Sequence, residues 1–228
     1  MLPLRLPGDF PVTSSNIPVM TKEEKKARKA LSKDVAAELR HRAKDAGWKV
    51  YQGWLFREDD GWFVDAWCVV EQRKTTVTVH LKPMGIDPVF WDIVLVPQNR
   101  NQPLSFRMWG AWTIKAPERN EREIDDTGLD APALTDCVLS IASQELVRTR
   151  ENRSLESFIE FVRQRRRGAR TYLAAIVCAH ILRDDRDGAM SELLVAREAR
   201  DTGGYFVGVK SFVDLAVEWL GANAPTRH

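Results

Sequence analysis

Cysteine is scarce in this 228-residue chain, histidine is nearly as rare, and long apolar runs are missing altogether. The three cysteines, Cys68, Cys137 and Cys178, are too few and too scattered for a disulfide framework. They fit reduced, buried small hydrophobes in a cytoplasmic protein. No apolar stretch approaches the ~18 residues of a membrane-spanning helix, so no membrane partner is expected. Arg5 is accompanied by Pro3, Pro7 and Pro11, with no apolar segment behind them, a pattern unlike a secretory signal.

The same poverty limits chemistry. Of His41, His80, His180 and His228, only His180 has a metal-type neighbour close by, Cys178. Two apart on a helix, those side chains diverge and cannot share an ion. Asp185-Arg186-Asp187-Gly188 is similar to the middle of a calcium loop, but Arg183 and Leu194 stand where oxygen ligands are required. Gly-x-Ser-x-Gly, Gly-x-x-x-x-Gly-Lys and Gly-x-Gly-x-x-Gly are all absent. No metal and no cofactor are expected, and binding is favoured over catalysis. A net charge of +2 argues neither for nor against nucleic acid.

What the chain does have is tryptophan: eight in all, seven of them between positions 48 and 112. The stretch from Gly47 to Pro83 reads as three antiparallel strands. Trp48 to Arg57 leads to the turn Asp59-Asp60-Gly61, where glycine supplies a positive φ. Trp62 to Gln72 is apolar on both faces, which calls for a cover on each. Thr75 to Lys82 alternates, with Val77, Val79 and Leu81 on one side and Thr76, Thr78, His80 and Lys82 on a side expected to be wet. Beyond it, Asp87 is expected to cap a short helix with Pro88 in its first turn. Phe106 to Lys115 reads as further β structure interrupted at Gly110.

Residues 1 to 20, with four prolines, suit an extended or disordered arm. Thr21-Lys22-Glu23-Glu24 is a capping box, and Leu31, Val35, Leu39 and Ala43 form the narrow stripe of a helix that Gly47 ends. Residues 118 to 130 are acidic and read as a connection. From Pro132 the apolar period is 3.6, marking helices around Leu134 to Ala142, Leu155 to Val162, Tyr172 to Ile181, Met190 to Leu194 and Phe206 to Leu220. The expected fold is therefore α+β: an N-terminal helix plus an antiparallel β-meander of four or five strands over 21 to 117, then a layer of about five helices over 131 to 222 packed on the sheet. A frayed tail, 223 to 228, completes it.

So many tryptophans in one small sheet are hard to bury completely, and aromatics concentrate at interface centres and in ligand pockets. Trp54, Trp67 and Trp91 are the expected partner-facing residues. Arg163, Arg165, Arg166, Arg167 and Arg170 form an arginine-rich run suited to anions; with Arg148, Arg150 and Arg153 before them they make a 148 to 170 segment that suits, as an alternative function, nucleic acid. His80 with Glu71 is the catalytic candidate, since the two lie on adjacent strands. The partner class expected first is a protein, or a second copy of the chain.

Ala46-Gly47-Trp48, Trp54-Leu55-Phe56-Arg57, the strand end Val69-Val70-Glu71-Gln72-Arg73-Lys74 and Phe90-Trp91 together carry a family likeness. Over about residues 23 to 95 the chain resembles bacterial domain-of-unknown-function proteins built as a helix followed by a β-meander. Some of these are similar to immunity proteins that neutralise bacterial toxins. That resemblance implies a binding protein that uses no cofactor.

Overall fold

Thr21 opens the first helix through reciprocal hydrogen bonds: its N–H donates to Glu24 Oε2 at 2.7 Å, and its hydroxyl accepts from the Glu24 N–H at 3.2 Å. In the computed structural model, which describes residues 20–71, 74–165 and 172–223, α1 (Lys22–Arg42) follows. The expected arm lies outside the described residues except for Met20, and the expected tail except for Asn223. Val35, Leu39 and Ala43 are buried as the stripe requires. The helix ends four residues earlier than its glycine signal, and Gly47 at φ +76° turns the chain into the sheet.

Among the described residues the fold is α+β, with five antiparallel strands in the sequential order β1-β2-β3-β4-β5. These are β1 (Lys49–Tyr51), β2 (Trp54–Asp59), β3 (Trp62–Val70), β4 (Thr75–Pro83) and β5 (Glu118–Ile124). The first expected strand is thus a hairpin broken at Gln52-Gly53, both at positive φ (50° and 84°), the geometry of a two-residue turn whose twist matches that of the strands. The 118 to 130 connection is corrected too, because its first half is the edge strand β5, paired with β4 from Thr75 to His80. Its charged side chains suit an edge, where they discourage pairing with another chain.

α1 and α4 (Ala131–Arg150) cover one face of the sheet, burying Leu55, Val64, Ala66, Val77, Val79 and Leu81 against Leu39, Leu134, Val138 and Ala142. The ion pair Arg28–Asp126 (2.7 Å) and the Thr75 hydroxyl donating to Asp126 (2.5 Å) tie α1 to this layer. α4 starts at Asp130, which accepts from the Ala133 N–H at 2.9 Å, with Pro132 in the first turn.

On the opposite face the expectation of a wet side to β4 fails. Thr76, Thr78 and Lys82 are all buried, and Lys82 is completely so. Its end of the face is roofed by α2 (Ile86–Ile93) and by a single helical turn, α3 (Phe106–Trp109), which stands where β structure was expected. Gly85, not Asp87, occupies the cap position of α2. Asp87 is instead drawn inward, because it is the carboxylate that Lys82 needs. Lys82 Nζ donates to Asp87 Oδ1 (2.9 Å), to the Arg107 carbonyl (2.8 Å) and to the Ile114 carbonyl (2.6 Å), while Arg107 donates to Asp87 Oδ2 (2.7 Å). All three ammonium protons are used, which is what makes a fully buried charge tolerable.

α2 also belongs to a second core, formed with α5 (Leu155–Arg165), α6 (Tyr172–Leu182), α7 (Arg186–Glu198) and α8 (Phe212–Ala222). Phe90, Trp91, Phe158, Ile176, Leu193 and Phe212 are its large members. The fifth expected helix begins six residues late, because Phe206–Val207 (β6) and Lys210–Ser211 (β7) form a small hairpin whose last residue caps α8. Trp62 packs against both cores and joins them. A third ion network clamps this end of the sheet from the α4 side: Asp59, the last residue of β2, accepts from Arg150 at 2.6 and 2.9 Å and from Arg153 at 2.5 Å.

Candidate functional site: an aromatic wall on the open end of the sheet

The unroofed end of the second face is aromatic. Trp54 and Trp67 sit directly opposite one another on β2 and β3, so their side chains leave the same face, and their rings stack at 4.8 Å with an interplanar angle of 6°. Trp109, delivered from above by α3, meets Trp54 edge-on at 5.0 Å and 83°. Tyr51, opposite Trp54 across the β1–β2 turn, packs on Trp109 at 5.6 Å. Such pairs contribute about 0.5–1.5 kcal/mol each beyond area burial, enough to fix the rings without hiding them. Tyr51, Trp67 and Trp109 remain 44, 42 and 42 % exposed.

His80 borders the wall, 6.1 Å from Trp54. Its Nδ1 lies 2.8 Å from Oδ1 of the buried Asp65, directly opposite on β3, which orients the ring. Among the described residues its Nε2 makes no hydrogen bond, and neither do the indole N–H groups of Trp54, Trp67 and Trp109. The wall therefore offers broad apolar faces and several unused polar tips. It can stack on a flat or extended partner and donate to carbonyls along it.

Two of the three expected tryptophans meet here, and one does not. Trp91 is 1 % exposed, its indole N–H donates to the Trp112 carbonyl at 2.5 Å, and Arg107 covers its ring at 5.2 Å, so it is a core residue. Glu71 sits past the end of β3, six residues along from Asp65, the actual partner of His80. The His80–Glu71 pair is thereby set aside. Tyr51, Trp109 and Asp65 are additions. The Gln52-Gly53 turn was the signal for Tyr51, while nothing local announced that Trp109 would sit on a helical turn.

The arginine run disperses. Arg148 pairs with Glu145, Arg150 and Arg153 with Asp59, and Arg163 with Glu192 at 2.8 Å. Arg163 also lies 3.2 Å from His180 Nε2, while His180 Nδ1 lies 2.8 Å from Asp185. An arginine can only donate, so that His180 carries its proton on Nδ1. Arg165 sits 3.7 Å from Glu118, and Arg166, Arg167 and Arg170 lie outside the described residues.

Two of the three thiols, Cys68 and Cys178, are not poised for chemistry. All three are free; Cys178 is buried, whereas Cys68 and Cys137 are only half-buried, less than expected. Burial pushes Cys68 up to about 12 and Cys178 well above the ordinary thiol range, which suppresses the nucleophilic thiolate. Burial likewise holds Lys82 below the usual ammonium range despite Asp87 beside it. Among the described residues no group of three or more His, Cys, Asp or Glu could hold a metal, and no helix is long and apolar enough to cross a membrane. Comparison with known proteins adds no relative, since no protein-family model, no curated protein and no solved structure matches the chain.

Proposed function

We propose that this chain is a non-catalytic, cytoplasmic protein-binding module whose working surface is the wall formed by Tyr51, Trp54, Trp67 and Trp109, with His80 at its border. The observation that carries it is the half-exposed aromatic cluster with idle N–H donors, held by ring contacts and by a sheet whose other side is fully packed. Aromatic residues with a polar handle dominate interface energetics, because they bring large area with little rotamer entropy to lose. A partner segment running extended across the wall would present carbonyls to the indole donors. An immunity role, implied by the family likeness, would make that partner a bacterial toxin. The nucleic-acid alternative is weakened by the carboxylates that occupy Arg148, Arg150, Arg153 and Arg163.

Selection of short random peptides from a displayed library, at moderate salt, tests this directly. Selected peptides should bind Trp67→Ala and Trp109→Ala at least about tenfold more weakly than the unaltered chain, with both variants still folded and destabilised by no more than about 3 kcal/mol. Failure to select any peptide, or peptides indifferent to both substitutions, overturns the proposal.

A further inference from the structure

A second surface lies on the other side of the molecule's edge strand, and it involves a residue the arginine run does not contain. Along the β4–β5 ladder Val79 faces Asn120 and His80 faces Glu118, so Arg119 is an extra residue, a bulge. Bulges re-aim side chains away from the ladder. Here the guanidinium carbon of Arg119 is carried to 3.9 Å from the Phe161 ring centroid on α5, and Arg165, one turn further along α5, lies 4.7 Å from the same ring. Two cations thus share one aromatic ring.

The arrangement differs from that of four arginines held by close carboxylates. Arg28, Arg107, Arg150 and Arg153 each hold a carboxylate oxygen at 2.5 to 2.7 Å. No carboxylate among the described residues pairs with Arg119, and the nearest to Arg165 is the half-exposed Glu118 at 3.7 Å. Burial and the neighbouring Arg165 both disfavour the charged form of Arg119. A bulge that brings two like charges together, with only the loose Glu118 contact to offset them, leaves a place for an external anion.

We infer that Arg119 and Arg165, set around Phe161, form a binding site for a phosphate group. Each guanidinium has a planar fork that matches phosphate oxygens in pairs. Because the arginines take up the ring of Phe161, no base can stack there, and recognition would be of phosphate alone, indifferent to nucleotide sequence. The phosphate can come from a small anion or from a polynucleotide backbone, and the site is independent of the aromatic wall.

The test uses the full chain, with inorganic phosphate in one arm and single-stranded oligothymidylate in the other, each against chloride at equal ionic strength. Thermal stabilisation and titration calorimetry report binding. If the site is real, Arg119→Gln binds the responding ligand about tenfold more weakly, and Arg119→Lys falls between the two, keeping charge but losing the fork. Without ligand, Arg119→Gln should melt no lower than the unaltered chain, since it relieves repulsion; a purely structural arginine would give a lower melting temperature. A response to phosphate alone assigns a small anion, and a response to the oligonucleotide that weakens with salt assigns a polymer. No response in either arm, or one that Arg119→Gln leaves unchanged, overturns the inference.

Discussion

The two ends of one sheet face are built from similar strands and finished in opposite ways. Along β4 the inward series Lys82, His80, Thr78 passes from a sealed charge network to the border of an open aromatic wall. At the roofed end, Phe63 lies under Lys82 at 5.6 Å, and α2, α3 and Trp91 exclude solvent. At the open end, Trp54 and Trp67 hold each other rather than a layer above them. Large aromatics therefore do not mark a core by themselves; what decides is whether the chain that follows returns over them. Here the segment from Met84 to Lys115 returns over one end only, and Trp109 is the ring it sets at the border of the open end.

The contrast implies that the roofed end carries stability and the open end carries little. Its sharpest test is Lys82→Met. The substitution leaves Asp87 buried with Arg107 as its remaining cation, and removes donors from the carbonyls of Arg107 and Ile114. A loss of about 3–5 kcal/mol is expected, read as a lower urea midpoint with unchanged slope. A loss below about 1 kcal/mol would abolish the distinction between the ends.

Asp59→Asn should cost less, about 2 kcal/mol at neutral pH, from its charge-assisted bonds to Arg150 and Arg153. Those arginines hold the Asp59 carboxyl well below the usual carboxylate range. Below about pH 4 the unfolded chain takes up a proton at this position that the folded chain refuses, so stability from Asp59 is present above that pH and lost as pH falls. Urea midpoints measured from neutral to acid pH should show the gap between unaltered chain and variant narrowing below about pH 4. A gap constant with pH would mean that Asp59 does not clamp the roofed end as an anion.

Much of this fold is visible in sequence where local rules and tertiary packing agree. The capping box at Thr21, the stripe through Val35 and Leu39, and the 3.6-residue period after Pro132 each specify a helix, and the helices are there. The errors fall where a distant partner overrides a local signal. Lys82 alternates as a solvent-facing residue but is buried because Asp87 and two carbonyls converge on it. Trp109 and Trp112 have β character, yet the short return over the sheet leaves room for one helical turn. Glu118 to Glu123 reads as linker because an edge strand tolerates charge that an interior strand would reject. Trp54 and Trp67 could be placed at the surface from tryptophan density alone, whereas the burial of Trp91 depends on how Phe106, Arg107 and Trp112 fold back over it.

The smallest expected effect isolates the open end. Gly53 takes φ +84° in the β1–β2 turn that places Tyr51 and Trp54 side by side. A Cβ there would lie 3.9 Å from Ala36, so Gly53→Ala meets no clash, only the cost of a left-handed backbone. That cost is about 1 kcal/mol. If the wall rests on a hairpin that opens by itself, amide exchange should quicken about fivefold in β1 and β2 while β4 amides near Lys82 keep their protection. Peptide binding at the wall should weaken in parallel, because two of its four rings move with the hairpin. Equal acceleration at Val79 to Lys82 would show instead that the two ends open as one cooperative unit, with the ion networks stabilising the aromatic wall as firmly as the roof.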